Sequence, residues 1–299
     1  MVWRVGVIGA GTIGRELGRT FHTVGYDVTF YDVSEEVSNK LQNNGFNVAR
    51  SLDELVARTD ISFICVPTPT NGGRFDQRHV EEALGSMIEV FRRNPTEHYH
   101  VTVVKSTVLP GVVDEILRRN HYWEVSNKLG ICISTEFVRG KIAFIDFFRL
   151  PFFVVSGYDP EAASTLRRFY EDFKGRSFAN FEIFETTPNT ACLAKYVSNC
   201  LLSCKISFFN EVAKLCEVLG VSPYDIVKLA LSDRYPIHHW YLEDFLKGGF
   251  TDECLPKDLD ALLSFARELG LELSLLENVK RINDYKVAAT CQEDVEEAV

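Results

Sequence analysis

Six residues near the start of the chain, GAGTIG at 9–14, constrain its fold more than any other segment. They separate an apolar run typical of a buried strand, WRVGVI at 3–8, from a helical pattern. The spacing G-x-G-x-x-G between a strand and a helix is typical of a dinucleotide-binding turn. Gly9 permits the tight turn, Gly11 lets backbone approach a pyrophosphate, and Gly14 lets the helix pack closely on the strand.

An acidic residue at the end of the next strand completes this pattern. DVTFYD ends in Asp32, about 20 residues beyond the glycines, where a carboxylate binds the ribose hydroxyls of a dinucleotide. The same carboxylate would repel a 2′-phosphate, so the sequence favours NAD over NADP. The N-terminus of the helix would face the phosphates. The predicted cofactor-binding residues in this segment are Gly9, Gly11, Thr12, Ile13, Gly14 and Asp32.

Strands that alternate with helices are expected through the rest of the first half. Strand-like runs occur at 61–67, 100–107, 129–134 and 152–157, and a helical pattern occurs at 77–93. Such alternation predicts a mainly parallel sheet of the Rossmann type. Ligands of these sheets bind beyond the carboxyl ends of the strands.

Polar residues stand at those carboxyl ends. Pro67 and Thr68 follow one strand, Ser106 and Thr107 follow another, and Glu136 follows a third. We expect the first four to contact the cofactor. The alternative for Thr68 and Ser106 is turn chemistry, which the neighbouring proline also suits. A carboxylate directly after an apolar strand, as at Glu136, fits a functional group as well as a solvated one.

The second half of the chain predicts helices. Residues 189–219 contain no helix breaker and are apolar on nearly every side, which is typical of a long buried helix. Such a helix often lies in the middle of a dimer interface, so we expect a homodimer. Lys195 and Asn199 are four residues apart and therefore share one face of this helix. The alternative for Lys195 is a structural ion pair.

These patterns together predict an α/β fold in two domains. A NAD-binding, Rossmann-type domain is expected over 1–186, and an all-helical central domain with a long central helix is expected over 187–299. The acidic tail, QEDVEEAV, is typical of a frayed end. Further helices are expected at 222–231, 256–269 and 271–288.

Charge and composition argue against several classes of partner. The formal net charge is −10, whereas a nucleic-acid-binding protein would present a basic face. No apolar run is long and unbroken enough to span a bilayer, and no leader precedes the first strand, so we expect a cytoplasmic protein. The eight cysteines lack the dense pattern of a disulfide framework. Cys200 and Cys204 share a helix face, but zinc needs four converging ligands, so no metal site is expected.

Seven segments of the chain occur in the same order as the signature segments of one known protein family. They are GAGTIG, CVPTPT, KSTVLPG, TEFVRG, LAKYVSNCLLSCKISFFNEVAKLCEVLG, SDRYPI and GFTDECLPKD. Together they resemble the signature segments of the UDP-glucose/GDP-mannose dehydrogenase family, over nearly the whole chain. The resemblance implies that the primary alcohol of a nucleotide sugar, of UDP or GDP, is oxidised to a carboxylate while two NAD are reduced.

The resemblance also implies roles for individual residues. Cys254 matches the nucleophile, which captures an aldehyde as a thiohemiacetal that is then oxidised to a thioester. Lys195 and Asn199 match the pair that stabilises the oxyanion. Glu136 matches the carboxylate that handles protons during thioester hydrolysis, and Asp258 and Thr107 match residues that hold and activate a water.

Substrate contacts are implied by the same resemblance. Arg234 matches an arginine that helps to bind substrate across the dimer, while Lys257 matches in sequence without an assigned step. The residues expected to contact the substrate are Glu136, Phe137, Arg139, Lys195, Asn199, Arg234 and Phe250.

Three departures from the family pattern affect this interpretation. Thr251 and Asp252 stand where the family has glycines, so side chains would reshape the pocket and acids would oppose formation of the Cys254 thiolate. Gly140 stands where the family has a second glutamate. The family normally carries a third domain that binds the nucleotide, and the chain stops before it, so we expect a smaller substrate or a separate partner protein.

Three functions remain open on the sequence alone. The first is an NAD-dependent dehydrogenase with the cysteine chemistry described above. The second is a two-electron hydroxy-acid or alcohol dehydrogenase in which Lys195 is the acid and base. The third is a subunit that binds NAD and dimerises without catalysis, which the altered residues before Cys254 would favour. The number of NADH formed per substrate separates them.

Overall fold

The computed structural model describes most of the chain, which forms two compact units. The described residues are 2–71, 73–94, 96–230, 249–252 and 254–296. The first unit comprises Met1–Pro69 with Asp76–Lys195, and the second comprises Thr70–Phe75 with Tyr196–Val299. The predicted domain boundary between 186 and 187 precedes the long helix, whereas the division between the units falls inside it. The predicted division into domains 1–186 and 187–299 therefore stays a prediction.

An eight-stranded sheet forms the centre of the first unit. The strands of the described chain are β1 (Arg4–Ile8), β2 (Asp27–Tyr31), β3 (Asn47–Val48), β4 (Ile61–Ile64), β5 (Thr70–Asn71), β6 (Arg74–Phe75), β7 (His100–Val104), β8 (Leu129–Ile133), β9 (Phe152–Gly157) and β10 (Glu182–Glu185). The order in the sheet is β10-β9-β8-β7-β4-β1-β2-β3, and neighbouring strands are parallel except for β8 and β9. This order confirms the predicted α/β class with a mainly parallel sheet.

The helices of the first unit connect these strands. They are α1 (Thr12–Thr23), α2 (Glu35–Asn43), α3 (Leu52–Arg58), α4 (Arg78–Arg93), α5 (Val112–Arg119), α6 (Ala143–Arg149) and α7 (Pro160–Ser177), with 3₁₀ turns at Tyr122–Glu124 and Gly140–Ile142. Side-chain caps begin several of them: the Ser34, Ser51 and Asp159 side chains accept backbone N–H groups of α2, α3 and α7. Each such cap replaces a hydrogen bond that the helix itself cannot make.

An aromatic core holds the sheet and its helices together in the first unit. The rings of Phe21 in α1 and Phe63 in β4 both lie against Phe169 in α7, at centroid distances of 5.1 and 5.4 Å. Helix α1 also approaches β2 so closely that a Cβ on Gly18 would lie 2.2 Å from the Phe30 ring. Aromatic pairs of this kind add about 0.5–1.5 kcal/mol each beyond the area they bury. The core therefore fixes the turn between β1 and α1.

In its described residues, the second unit is helical apart from one short hairpin. Its helices are α8 (Pro188–Leu219), which begins in the first unit, α9 (Pro223–Ala230), α10 (Leu255–Glu268) and α11 (Ser274–Glu296). The antiparallel hairpin of β5 and β6 comes from the first half of the chain, and the Thr70 hydroxyl donates to the Lys257 carbonyl at 3.0 Å. The expected frayed tail is helical as far as Glu296, where α11 ends.

In the part of the chain that the structure describes, no helix is both long enough and apolar enough to cross a bilayer.

Candidate active site

The turn between β1 and α1 requires glycine at two positions. Gly9 has a φ of 87°, and a Cβ there would lie 2.9 Å from the Cys65 carbonyl oxygen. A Cβ on Gly14 would lie 2.0 Å from the Gly9 carbonyl oxygen, so α1 packs against its own turn. These contacts account physically for the first and third glycines of the motif.

The second glycine of the motif leaves space for a ligand. A Cβ on Gly11 would have no heavy atom within 4 Å, and Thr12 beside it is exposed, while Ile13 is half-buried. Gly11 caps α1 without a side-chain hydrogen bond, and the first turn of α1 contains no acidic residue. Backbone N–H groups at a helix start without a carboxylate suit a pyrophosphate.

Asp32 is held beside this turn. One oxygen of its carboxylate accepts the Ala10 N–H at 2.7 Å, and the other accepts the Ser34 N–H at 2.9 Å. The side chain is partly exposed, and each carboxylate oxygen has a second lone pair for a hydroxyl group. The open glycine, the uncapped helix start and the fixed carboxylate together fit NAD.

The turns after β4 and β7 are tied to each other. The Ser106 hydroxyl donates to the Val66 carbonyl at 2.7 Å, which is the turn chemistry that the sequence left open for this residue. Thr68 is buried, Pro67 is exposed and Thr107 is half-buried. Ser106 therefore has a structural role at this edge of the sheet. Contacts of Pro67, Thr68, Ser106 and Thr107 with the cofactor stay predictions.

Glu136 is buried and its carboxylate is bound at both oxygens. Oε1 accepts the Phe137 N–H at 3.1 Å, and Oε2 lies 2.7 Å from Nζ of Lys105. Lys105 directly follows β7, and Glu136 lies in the segment after β8, the parallel neighbour of β7. The sequence pattern thus placed Glu136 at the correct edge, but it did not identify the lysine as its partner.

Lys105 is one of the most deeply buried cations in the described chain, with 1% of its side chain exposed. Its ammonium lies 5.7 Å from the centre of the Phe153 ring. Burial alone would lower the pKa of Lys105, but the Glu136 carboxylate, followed by Tyr170, outweighs burial, so that this pKa is raised. A lysine at the end of the apolar run HVTVVK was the sequence signal for it.

Phe137 and Arg139, two other predicted residues of the first unit, are near Glu136 in sequence. Nζ of Lys195 lies 5.5 Å from the centre of the Phe137 ring, a cation–π contact. Arg139 donates to the buried Asp146 through its backbone N–H and through Nε and Nη2, at 2.9, 2.9 and 2.6 Å. This bidentate pair fastens the segment to α6, and a substrate contact of Arg139 stays a prediction.

A further buried carboxylate, Asp258, lies in the second unit. Asp258, in the first turn of α10, accepts Nδ2 of Asn199 at 2.5 Å on Oδ2. Its Oδ1 accepts Nζ of Lys257 at 2.5 Å. The structure thus brings together two of the predicted catalytic residues, Asn199 and Asp258. The neighbouring thiol of Cys200 has a pKa raised to about 12, by burial and then by Asp258.

Cys254 is exposed and occupies the cap position at the start of α10. One carboxylate oxygen of Asp252 accepts the Cys254 N–H at 2.6 Å and the Leu255 N–H at 2.8 Å. Asp252 therefore caps the helix, and the hydrogen bonds of this oxygen are directed to backbone. Of the cysteines whose exposure the structure describes, Cys254 alone is exposed.

The residues before Cys254 are held by α11. Gly249 has a φ of 140°, and Phe250 is buried while its backbone N–H and carbonyl bond the Asn283 amide at 2.8 and 3.1 Å. Phe250 therefore belongs to the core of this unit, and its contact with a substrate stays a prediction. Arg234 and Glu253 lie outside the described residues.

Two family models match the chain. Residues 35–174 match the NAD binding domain of the UDP-glucose/GDP-mannose dehydrogenase family, and residues 189–285 match the central domain of the same family. The matches follow the order expected from the sequence and cover most of the chain.

Relatives of known name support this assignment. The chain is 28% identical to the UDP-glucose 6-dehydrogenase of Haloferax volcanii, over 93% of this chain and 69% of that protein. It is also 28% identical to the GDP-mannose 6-dehydrogenase of Pseudomonas savastanoi, over 95% of this chain and 68% of that protein.

A solved structure is similar along nearly the same span. The UDP-glucose dehydrogenase of the hyperthermophilic archaeon Pyrobaculum islandicum superposes with a TM-score of 0.81 and is 31% identical, over 95% of this chain and 68% of that one. The chain thus spans about two thirds of the length of these relatives. The chain belongs to the UDP-glucose/GDP-mannose dehydrogenase family of NAD-dependent dehydrogenases, which act on CH–OH groups.

Proposed function

We propose that this protein oxidises the primary alcohol of a UDP- or GDP-sugar to a carboxylate through a thiohemiacetal and a thioester on Cys254. The observation that carries the proposal is the exposed thiol at the start of α10, four positions before the buried Asp258. A helix N-terminus favours negative charge, so it stabilises the thiolate, the reactive form of a cysteine. The substrate is proposed as a class, nucleotide sugars of UDP or GDP, and not as one particular sugar.

The proposal has six cofactor-binding residues at the glycine turn and the strand after it: Gly9, Gly11, Thr12, Ile13, Gly14 and Asp32. Backbone at Gly11 and the start of α1 would bind the pyrophosphate, and Asp32 the ribose hydroxyls. Bound NAD supplies the hydride acceptor for each of the two oxidations. Pro67, Thr68, Ser106 and Thr107 would complete its surroundings at the edge of the sheet.

The oxyanion that forms when Cys254 attacks the aldehyde needs positive charge and a fixed donor. Lys195 would supply the charge, and Asn199 would supply an amide N–H. Both side chains are buried, at 9% and 8% exposure, which strengthens their electrostatic effect. The bond from Asn199 to Asp258 restricts the rotation of the amide.

Hydrolysis of the thioester needs a base and a positioned water. We assign the base to Glu136, which would take one proton from the attacking water. The water oxygen forms the new C–O bond, the C–S bond breaks, and the sulfur leaves as a thiolate. Asp258 and Thr107 would position the water, while Phe137, Arg139, Arg234 and Phe250 would line the substrate pocket as the resemblance implies.

A second copy of the chain is the proposed partner of α8. Val197, Leu201 and Phe208 are 52%, 55% and 62% exposed in the single chain, although a long apolar helix is expected to be buried. They recur at helical spacings of four and seven and form one stripe. We propose that this stripe packs on its counterpart in a homodimer, and sedimentation of wild type against Leu201→Glu tests it: a dimer should become a monomer.

The decisive experiment measures NADH formed per substrate consumed. Purified wild type and Cys254→Ala are given NAD and a panel of UDP- and GDP-sugars and small hydroxy acids, with Cys204→Ala as the matched cysteine control. We expect two NADH per substrate in wild type and in the control, and at most one in Cys254→Ala.

Other outcomes would favour the alternative functions. One NADH per substrate in both proteins would contradict the thioester route and favour an alcohol oxidation that depends on Lys195. NAD binding without turnover on the whole panel would favour a non-catalytic subunit or one that needs a separate partner, which copurification would identify. Such a partner and the cytoplasmic location stay predictions.

A further inference from the structure

We infer that Lys105 is a positioning residue that holds Glu136 in place as a carboxylate, ready to take a proton during thioester hydrolysis. The inference rests on the proposed function, because it assigns the lysine to the hydrolytic half of that reaction. It concerns contacts inside the first unit only. Neither the glycine motif nor the residues matched to the family's catalytic roles include this lysine.

The geometry of the pair restricts Glu136 at both oxygens. Lys105 holds Oε2 at 2.7 Å, and the Phe137 N–H holds Oε1 at 3.1 Å. The lysine follows β7 and the glutamate follows β8, and Val104 and Ile133 at the ends of these strands are paired in register. The distance between the two side chains is therefore set by the pairing of β7 with β8, and not only by the segment after β8 that contains Glu136.

The charge of the pair matters because the surroundings are apolar or neutral. A lone buried carboxyl group favours its neutral form, and a neutral acid cannot accept a proton. A cation at 2.7 Å favours the carboxylate instead. The titratable groups that also face Lys105 are Tyr170 and Cys65, and burial raises the pKa of both, that of Cys65 to about 12. Both are therefore neutral near pH 7, and the Glu136 carboxyl group is the ion-pair partner of the lysine.

A purely structural role would be a weak reason for this arrangement. Buried ion pairs can often be replaced by apolar residues without loss of stability, so stability alone does not account for this one. Glu136 is also the one acidic residue in the segment 134–142, because Gly140 stands where the family pattern has a second glutamate. The carboxylate that Lys105 holds is thus the candidate base that remains in this segment.

The test traps the acyl-enzyme. Lys105→Met, Lys105→Arg, Glu136→Gln and the control Lys174→Met are mixed with NAD and the substrate that wild type turns over, below the melting transition of each variant. Lys174 is a suitable control because its ammonium donates to the Phe181 carbonyl in the same unit. Stopped flow measures the NADH burst, and intact mass spectrometry measures the fraction of Cys254 that carries the acyl group.

We expect Lys105→Met to keep the burst of two NADH per site and to lose about 10- to 100-fold in steady-state rate. The acylated fraction should rise towards that of Glu136→Gln, whereas Lys105→Arg, which keeps the charge, and Lys174→Met should resemble wild type. A lysine with a structural role only would lower stability without raising the acylated fraction.

Three results would overturn the inference. The first is a folded Lys105→Met that turns over at the wild-type rate, or that loses both oxidations equally without acylated enzyme. The second is failure of both neutral variants, Lys105→Met and Lys105→Gln, to fold, which would show that the lysine has a structural role. Lys105→Gln is measured if Lys105→Met does not fold. The third is a wild type that forms one NADH and no acyl-enzyme, which overturns the proposed function as well. By contrast, the first result, an unaffected Lys105→Met, overturns the inference alone if wild type still forms two NADH per substrate.

Discussion

Two of the buried carboxylates in the described chain, Glu136 and Asp258, are neutralised in different ways. Glu136 lies after β8 in the first unit and faces Lys105, which directly follows the neighbouring strand β7 and has only 1% of its side chain exposed. Asp258, in the second unit, faces Lys257, which is its neighbour in sequence and is 25% exposed, together with the Asn199 amide. The first pair depends on the sheet, whereas the second depends on one turn of helix and a neutral donor.

The burial of each lysine predicts how much it contributes to the free energy of unfolding. Removing the cation from a fully buried pair leaves a charge without a counter-ion in an apolar site, which is costly. Lys257 can exchange its carboxylate for water, and Asp258 keeps the hydrogen bond from Asn199. Removal of each lysine tests this comparison directly, and two further experiments concern a buried histidine and the cap of α10.

The largest effect is expected from removing each lysine in turn. Lys105→Met should lower the free energy of unfolding by about 3–5 kcal/mol, because it leaves Glu136 buried without its cation. Lys257→Met should lower it by about 1 kcal/mol or less, as for partly exposed pairs. Urea unfolding of the two variants beside wild type measures both values. Equal losses would show that burial of the lysine does not distinguish the pairs.

A smaller effect is expected from His100, a buried titratable group on the strand that Lys105 follows. Burial lowers the pKa of His100 from 6.5 to about 4, and its Nε2 lies 2.9 Å from the Ser62 hydroxyl. As the pH falls through 6.5 the unfolded chain takes up a proton that the folded chain does not, so stability decreases from pH 6.5 towards 4. His100 should account for about 2 kcal/mol of the loss between pH 7 and 5.

The measurement compares His100→Asn with wild type by urea unfolding at pH 7 and pH 5. The variant should lose about 2 kcal/mol less than wild type over this interval, although it starts from a lower stability. His22→Gln, at an exposed position, is the control and should keep the wild-type pH dependence. An unchanged pH dependence in His100→Asn would mean that the buried imidazole is not kept neutral in the folded protein.

The smallest effect is expected at the cap of α10, the helix that carries Asp258. Asp252→Ala removes the acceptor for the Cys254 and Leu255 N–H groups and should cost about 1 kcal/mol. Asp252→Asn keeps an acceptor and should cost less than half of that. Ser51→Ala, which removes the cap of α3, is the matched control in the first unit. Urea unfolding measures all three, and a neutral Asp252→Ala would contradict the capping role.

Parts of the fold that depend on local pattern were predictable. The long helix expected at 189–219 is Pro188–Leu219, and the strand expected at 152–157 is Phe152–Gly157. The edge strand Glu182–Glu185 and the hairpin of β5 and β6 were missed, because they are short and partly exposed and leave little apolar periodicity. The acidic tail was interpreted as frayed, although α11 continues to Glu296.

The candidate site was predictable only in its residue types. Residues Glu136, Asn199 and Asp258 were singled out from their motifs, and the structure joins Asn199 to Asp258. Asp252 was expected to disturb the thiol, yet its carboxylate accepts two backbone N–H groups at the helix start. Whether an acid repels a thiolate or caps a helix depends on the direction of its side chain, which sequence spacing does not specify.

The turn at Gly9 to Gly14 and the order of the elements that follow it were predictable from the sequence alone. These features depend on backbone conformation and on packing between adjacent segments, so a short motif is sufficient to specify them. The tertiary structure alone decided that Lys105 faces Glu136. The electrostatics of a buried charge depend on burial and on distances across neighbouring strands, and those are set only when the sheet has formed.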